Sequence, residues 1–418
     1  MSQSSQQPIS LSLSNTSLPF VSGKEPNNAP IDVVDVGPDL AQRLSLTPGT
    51  RALLPSESLS ISELLELCLP TLSSSMPSMD PELCFSNHPP TDSVAIYLSR
   101  PVPPLTFVDG LRTAAGQAML KGKLSIVDWT CKNSTSFFSF ELIEFWTVLA
   151  KAIEARRVWA SAMKWLDQVE DACLDQEIRE VHLILQSTPW SGTIQILRSR
   201  LTFLEMATFL SNDWLSSSQI DMALSSTALR QRESGDSQVL GRYLIGTTIL
   251  SDYLHSSPVL HRQKASLLDN LSWQDYKLRA PQELQRAGNH LAQYEPDGEV
   301  IFIAYSPPGH WAAISVTSRG ILEWADSLGR RPPMNLITGI RNWLNHHLSS
   351  SPFGVGNSFK CSHQTDSFSC GMIALNAIKH RIFGDALWHE EDRAHLRIRE
   401  FLDIMHRCHK TDGISVRF

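Results

Sequence analysis

The sequence predicts an α+β domain of about 200 residues in the second half of a longer chain. Three observations predict it. Short apolar runs of strand length cluster between positions 300 and 325, helical spacing flanks them on both sides, and Ser/Pro-rich stretches fill the first hundred-odd positions. The chain has 418 residues, enough for two or three units at roughly 150 residues each. With 42% hydrophobic residues, including 11 Trp and 16 Phe, wholesale disorder is excluded.

Residues 1–120 punctuate themselves with Ser, Pro and Asn (SLSLSNTSLP, KEPNNAP, SSSMPSMDPE, RPVPPL), so the expectation is a mostly disordered arm. This arm carries 5 Lys and Arg against 11 Asp and Glu, a balance of -6 out of the chain's -7. Neither part has the basic excess of a nucleic-acid binder. Within it, Ser60 to Leu69 could form one helix capped by Ser62 and stopped by Pro70, but a short isolated helix is marginal. Residues 121–189 form the second segment. There Leu142, Phe145, Trp146, Leu149, Ile153, Trp159, Met163, Leu166 and Val169 recur at three- and four-residue steps, the pattern of one long helix of about 35 residues. Its apolar face needs a cover, either the following domain or a protein partner docked on 136–170.

Residues 190–410 make the third unit. Ile194 to Phe209 and Ser218 to Leu229 mix apolar runs with turns, and Val239 to Leu254 is long enough for a helix. Val300–Tyr305, Trp311–Val316 and Ile321–Ala325 are apolar runs separated by Ser306-Pro307-Pro308-Gly309 and Thr317-Ser318-Arg319-Gly320, an antiparallel meander. Gly371–Ile378 reads as a buried helix and Glu391–His406 as an amphipathic one.

No stretch approaches the roughly 18 consecutive apolar residues of a membrane span, and the opening MSQSSQQPIS lacks the basic patch and apolar run of a secretion signal. The expectation is an intracellular protein, nuclear or cytoplasmic, without a membrane partner. Its 7 cysteines are odd in number and scattered, so free thiols are expected. Cys361-Ser362-His363 is too tight for structural zinc, and no metal or cofactor is expected.

The chemistry starts from the meander. With the turn centred between Ser318 and Arg319, paired positions sum to about 637, which sets His310 opposite or diagonal to Asp326, roughly 5 Å away. A carboxylate on one ring nitrogen fixes the tautomer and leaves the other nitrogen free to take a proton. Cys370 precedes Gly371 and an apolar helix, so it stands at a helix N-terminus, where the dipole favours a thiolate. Gln364 lies six residues before it across a polar loop, within reach for its amide to sit beside the sulfur as an oxyanion donor. Each signal is weak alone.

Taken in the order His-Trp, Asp-Ser, Gln and Cys-Gly, they resemble the ubiquitin-like-protein-specific cysteine proteases, the SUMO or sentrin protease family. Gly309-His310-Trp311, Trp324-Ala325-Asp326-Ser327-Leu328-Gly329 and Gln364 through Cys370-Gly371 carry the resemblance, with Asp213-Trp214-Leu215 upstream. It spans roughly 190–410 and implies a papain-like cysteine protease fold, a central mixed or antiparallel sheet flanked by helices. His310 would be the base, Asp326 its orienter, Cys370 the nucleophile and Gln364 the oxyanion donor. Trp214 and Trp311 would line a tunnel for a modifier's Gly-Gly tail, since glycine alone lacks a side chain. The implied partner is a ubiquitin-like modifier, SUMO-type, and the implied activity is deconjugation or precursor processing. Departures are Ser369, where the family has Asp, and Ser216-Ser217, where it has Asn-Asp. Two alternatives stay open: an acetyltransferase with the same His-Asp-Cys order, and a non-catalytic adaptor that binds the modifier.

Overall fold

The computed structural model describes residues 38–73, 80–127, 136–255, 273–348, 352–410 and 414–415. It is a mixed helix and sheet protein. The N-terminal layer contains α1 (Pro38–Leu44), α2 (Pro48–Arg51), α3 (Ile61–Glu66), α4 (Leu105–Leu120) and the small antiparallel sheet of β1 (Phe85–Ser86), β2 (Ser125–Val127) and β3 (Phe137–Phe138). Next come α5 (Glu141–Asp167), α6 (Asp175–Ser187), the hairpin of β4 (Thr193–Ile196) and β5 (Ser199–Thr202), α7 (Phe203–Met206) and α8 (Ser217–Glu233). After α9 (Ser237–Arg242), the main sheet begins with β6 (Tyr243–Ile245), followed by α10 (Thr248–Leu254), α11 (Trp273–Arg279) and α12 (Gln282–Gln293). Its centre is β7 (Glu299–Ser306), β8 (His310–Thr317) and β9 (Ile321–Ala325), then α13 (Met334–Asn345) and β10 (Gly354–Val355). The chain closes with α14 (Cys370–Phe383), α15 (Arg393–Lys410) and β11 (Ile414–Ser415), which pairs with β4.

The sheet order is β10-β9-β8-β7-β6. Its three central strands are an antiparallel meander and its two edges pair in parallel, so it is mixed. β7 is an almost unbroken apolar run because both faces are covered. Ile301 and Ile303 point into the core shared with α8 and α14, while Val300, Phe302 and Ala304 point into a second core under α10, α12 and α13. A one-residue slip would exchange these two sets.

Several expectations need correction. The described part of the 1–120 arm, 38–73 and 80–120, is ordered rather than disordered. Its Val102, Phe107, Val108 and Leu111 are buried with Tyr97 in a core completed by Leu142, Phe145, Trp146 and Leu149 of α5. Composition misled because the apolar surface that stabilises this layer comes from a helix outside it. Residues 1–37 and 74–79 lie outside the described residues. The short helix is capped by Ser60, not Ser62: its Oγ accepts from the backbone N–H of Glu63 (3.1 Å) and the Glu63 carboxylate accepts from the N–H of Ser60 (2.7 Å). The long helix α5 has 27 residues. Its first half fills the N-terminal core, while Ala155, Trp159 and Leu166 fill the core under α15, where Trp159 meets Phe401 edge-on at 6.4 Å. That apolar face is therefore covered by the chain itself. Val239–Leu254 is two short helices around β6, because the segment both adds an edge strand and turns over the sheet.

Candidate active site

Strand β8 begins at His310, and Asp326 immediately follows β9. The observed register pairs Ala313 with Ala325, so paired positions sum to 638, one more than the turn geometry suggested. Asp326 is therefore diagonal to His310. Its Oδ1 lies 3.0 Å from His310 Nε2 and also accepts from the backbone N–H of Leu328 at 2.8 Å. Both side chains are almost wholly buried.

Cys370 is the first residue of α14, and its thiol lies beside the His310 ring, close enough to shift its protonation. With Nε2 committed to Asp326, Nδ1 is the nitrogen left for the sulfur. Burial by itself pulls the His310 imidazolium down, but the hydrogen bonds and charges of Asp326 and Cys370 outweigh it and raise the group to about 9. Burial pushes the Asp326 carboxyl the other way, and the His310 and Leu328 hydrogen bonds hold it below the ordinary carboxylate range. The arrangement can therefore hold a positive imidazolium between a carboxylate and a sulfur at the positive end of a helix dipole.

The turn that delivers Cys370 is built by Asp366. One carboxylate oxygen accepts from the backbone N–H of Phe368 (3.0 Å) and Ser369 (2.8 Å), and the other accepts from Ser369 Oγ (2.6 Å) and faces Arg393 at 3.3 Å. This is an Asx-type turn. Gly371 follows the cysteine at a close approach: a Cβ there would stand 3.0 Å from Ile220 Cδ1 and 3.4 Å from Trp311 Cδ1, so those side chains would have to give way by a few tenths of an ångström.

Gln364 is buried and tied to the Asp326 segment. Its Oε1 accepts from Ser327 Oγ (3.0 Å), its backbone N–H donates to Ser327 O (2.8 Å), and its Nε2 donates to the Asp366 carbonyl (2.7 Å). The amide thus bridges the loop after the acid and the loop before the thiol. The two tryptophans differ. Trp214 is 42% exposed and lies over Gly309, whose missing Cβ would stand 2.7 Å from Trp214 Cη2 and whose φ of +66° suits glycine. Trp311 is 6% exposed, packs against Gly371 and donates its indole N–H to the Leu215 carbonyl at 2.9 Å. Ser216 caps α8 in a box with Gln219, a helix-starting role for a residue read as a departure in the sequence.

Sequence reasoning missed four supports. Asp366 and Ser327 sat in stretches read only as polar loop and motif filler. Tyr305 accepts from the Gly309 N–H at 3.0 Å and meets the Trp311 ring edge-on. Arg397, fully buried on α15, donates to the carbonyls of Thr208 (3.0 Å) and Asp213 (2.6 Å) and so fixes the segment that presents Trp214. Burial lowers its guanidinium to about 10. An Asp three residues before a Ser is a readable turn signal for Asp366; nothing local marks Arg397.

No family model and no curated protein matches this chain. Among solved structures it is similar to the C-terminal Ulp1 protease domain in complex with Smt3, the yeast ortholog of SUMO. Identity is 12% and the TM-score 0.38, over 57% of this chain and 96% of that one. The SUMO protease Ulp1 with its catalytic cysteine oxidised to a sulfenic acid gives 12% and 0.38, over 56% and 95%. The Xanthomonas campestris effector XopD bound to ubiquitin gives 16% and 0.29, over 46% and 91%.

Proposed function

We propose that this chain is a cysteine peptidase with a papain-like catalytic unit, acting as an isopeptidase or processing protease after the C-terminal Gly-Gly of a ubiquitin-like, SUMO-type modifier. The observation that carries the reading is the His310 ring bracketed by Asp326 at 3.0 Å and by Cys370. His310 takes the Cys370 proton, and the sulfur attacks the glycyl carbonyl carbon. The oxyanion is received by the backbone N–H groups at the start of α14, with the Gln364 amide, whose Nε2 also reaches Asp366 Oδ1 at 3.4 Å, as the side-chain donor. The imidazolium then gives its proton to the leaving amine, which for a conjugate is a lysine side chain, and water hydrolyses the thioester.

Access supports the Gly-Gly preference. Cys370 is 1% exposed and His310 2%, and Trp214 stands over Gly309, the residue before His310. An extended tail without side chains is the peptide best suited to reach them. The resemblance in motif order points to the same substrate class.

The test is a panel of modifier vinylmethylester probes with a Gly-Gly-linked fluorogenic substrate. We expect a covalent adduct on Cys370 and cleavage after the second glycine, both lost in Cys370→Ala. Acetyl transfer from acetyl-CoA without Gly-Gly cleavage would replace the reading with acyl transfer. Modifier binding without any adduct would leave an adaptor.

A further inference from the structure

The main sheet ends in an open edge. β6 is its last strand, and within the sheet only its β7 side is paired. In a parallel ladder, successive residues turn their N–H and C=O to opposite sides of the strand. The Gly246 N–H donates to the Ile301 carbonyl at 2.8 Å, so Leu244 and Gly246 face β7 while Tyr243 and Ile245 face outward. The outer groups of Tyr243 are engaged: its N–H donates to the Val239 carbonyl, and its own carbonyl accepts from Gln231 Nε2 at 2.8 Å. Those of Ile245 have no partner among the described residues.

A groove of about 300 Å³ opens at this edge, with α8 as the wall on one face of the sheet and α12 as the wall on the other. Leu224, Leu250 and Ala287, all buried, make part of its lining apolar. The rest is basic, in a chain whose net charge is -7. Arg198, Arg232 and Arg286 line it against one acid, Glu283, which is bound to Arg198 at 2.9 Å. Among the described residues neither Arg232 nor Arg286 pairs with a carboxylate, so one uncommitted guanidinium stands on each wall. The Asp221 carboxylate, earlier on α8, is spent on the Thr248 N–H (2.6 Å) and hydroxyl (3.1 Å) and does not line the groove.

Leu197, in the turn between β4 and β5, also lines the groove. It is 38% exposed, and its φ of +53° lies in the left-handed region where a branched apolar residue is rare. Turn geometry alone would favour glycine or asparagine there. A small inorganic anion would use the arginines and leave the apolar lining and the Ile245 edge idle, whereas an extended peptide uses all three.

We infer that this groove docks an extended acidic segment of a partner protein. The segment adds to the outer edge of β6 through the Ile245 N–H and C=O, sets apolar side chains against Leu197, Leu224 and Leu250, and places carboxylates at Arg232 and Arg286. Since successive side chains of a strand point to opposite faces, adjacent acids reach both walls. None of these residues belongs to the cluster of His310, Asp326 and Cys370, so the docking site stands apart from the peptidase reading.

Fluorescence anisotropy of the full chain with a labelled Glu-Val-Glu-Glu-Val-Glu peptide tests it, in about 0.15 M salt, with the Lys-Val-Lys-Lys-Val-Lys peptide and inorganic pyrophosphate as competitors. Saturable binding is expected, weakened about tenfold or more in Arg232→Glu and in Arg286→Glu, and the lysine peptide should not compete. Leu197→Gly should weaken binding several-fold with a urea midpoint equal to wild type or higher, because glycine suits that φ. No saturable binding of the acidic peptide overturns the site, as does wild-type affinity in the two arginine variants or in Leu197→Gly, or equal competition by the lysine peptide. Binding of pyrophosphate without the peptide assigns the groove to a small anion and overturns it too.

Discussion

The two ends of strand β8 both bury an acid beside a base, and they do opposite things. At the start of the strand, His310 meets Asp326, and one oxygen of that carboxylate, Oδ2, accepts no hydrogen bond among the described residues. Towards the other end, Glu299 is held by Ser315 Oγ at 2.6 Å and by Arg381, which also pairs with Glu323 and lies over the Phe359 ring at 5.0 Å. The second cluster is a saturated staple around a guanidinium that cannot be deprotonated in this setting. The first is built on an imidazole, which can give up its proton, and it faces a thiol. Burial of charge is common to both; only the choice of a titratable base and a reactive neighbour makes one of them chemical.

The sharpest way to break this contrast is to remove one partner at each end. Cys370→Ala should reduce turnover by on the order of 10⁶-fold, as loss of a nucleophile does, with the unfolding midpoint in urea close to wild type. Arg381→Ala should do the reverse, costing about 3–5 kcal/mol of stability by taking from buried Glu299 its closest cation and leaving only Arg242 at 3.8 Å, while the folded fraction still labels with the probe. If Cys370→Ala proves as destabilising as Arg381→Ala, the two ends are alike and the catalytic reading fails. Gln364→Ala should lower kcat by roughly 10²–10³-fold, the effect of one oxyanion donor, and should weaken probe binding far less.

pH separates the ends further. The folded His310 group is raised to about 9 against an ordinary 6.5, so the native state holds the extra proton between those values. Its contribution is fully present below pH 6.5 and is lost as pH rises through 9, about 3 kcal/mol in all at 1.36 kcal/mol per pH unit. Denaturant melts from pH 6 to 9.5 should show that decline in the wild type, a flatter profile in His310→Gln, and an unchanged slope in Arg381→Lys. The smallest effect is expected at Gly309→Ala. A methyl 2.7 Å from Trp214 on a backbone at φ +66° displaces the indole, so KM should rise several-fold with stability lowered by about 1 kcal/mol.

Much of this was legible along the chain because it is local. The apolar runs of β7, β8 and β9, the turns between them and the helix after Cys370 follow from alternation and from residues that adopt turns, and they place His310, Asp326 and Cys370 in order. What local pattern could not give was anything held by residues distant in sequence. The N-terminal layer was read as a disordered arm because its core is completed by Trp146 and Leu149 of α5. The register fell one residue from the value expected of the turn, since packing on both sheet faces decides it. The tie of Gln364 to Ser327, the grip of Arg397 on Asp213 from 184 positions away and the cover of Trp214 over Gly309 arise only when helices and loops close on one another. The sequence by itself determined which chemical groups are present and on which elements they ride. The tertiary structure decided their distances and the environment that raises His310, because charge burial and hydrogen-bond geometry are properties of the packed molecule and not of any segment of it.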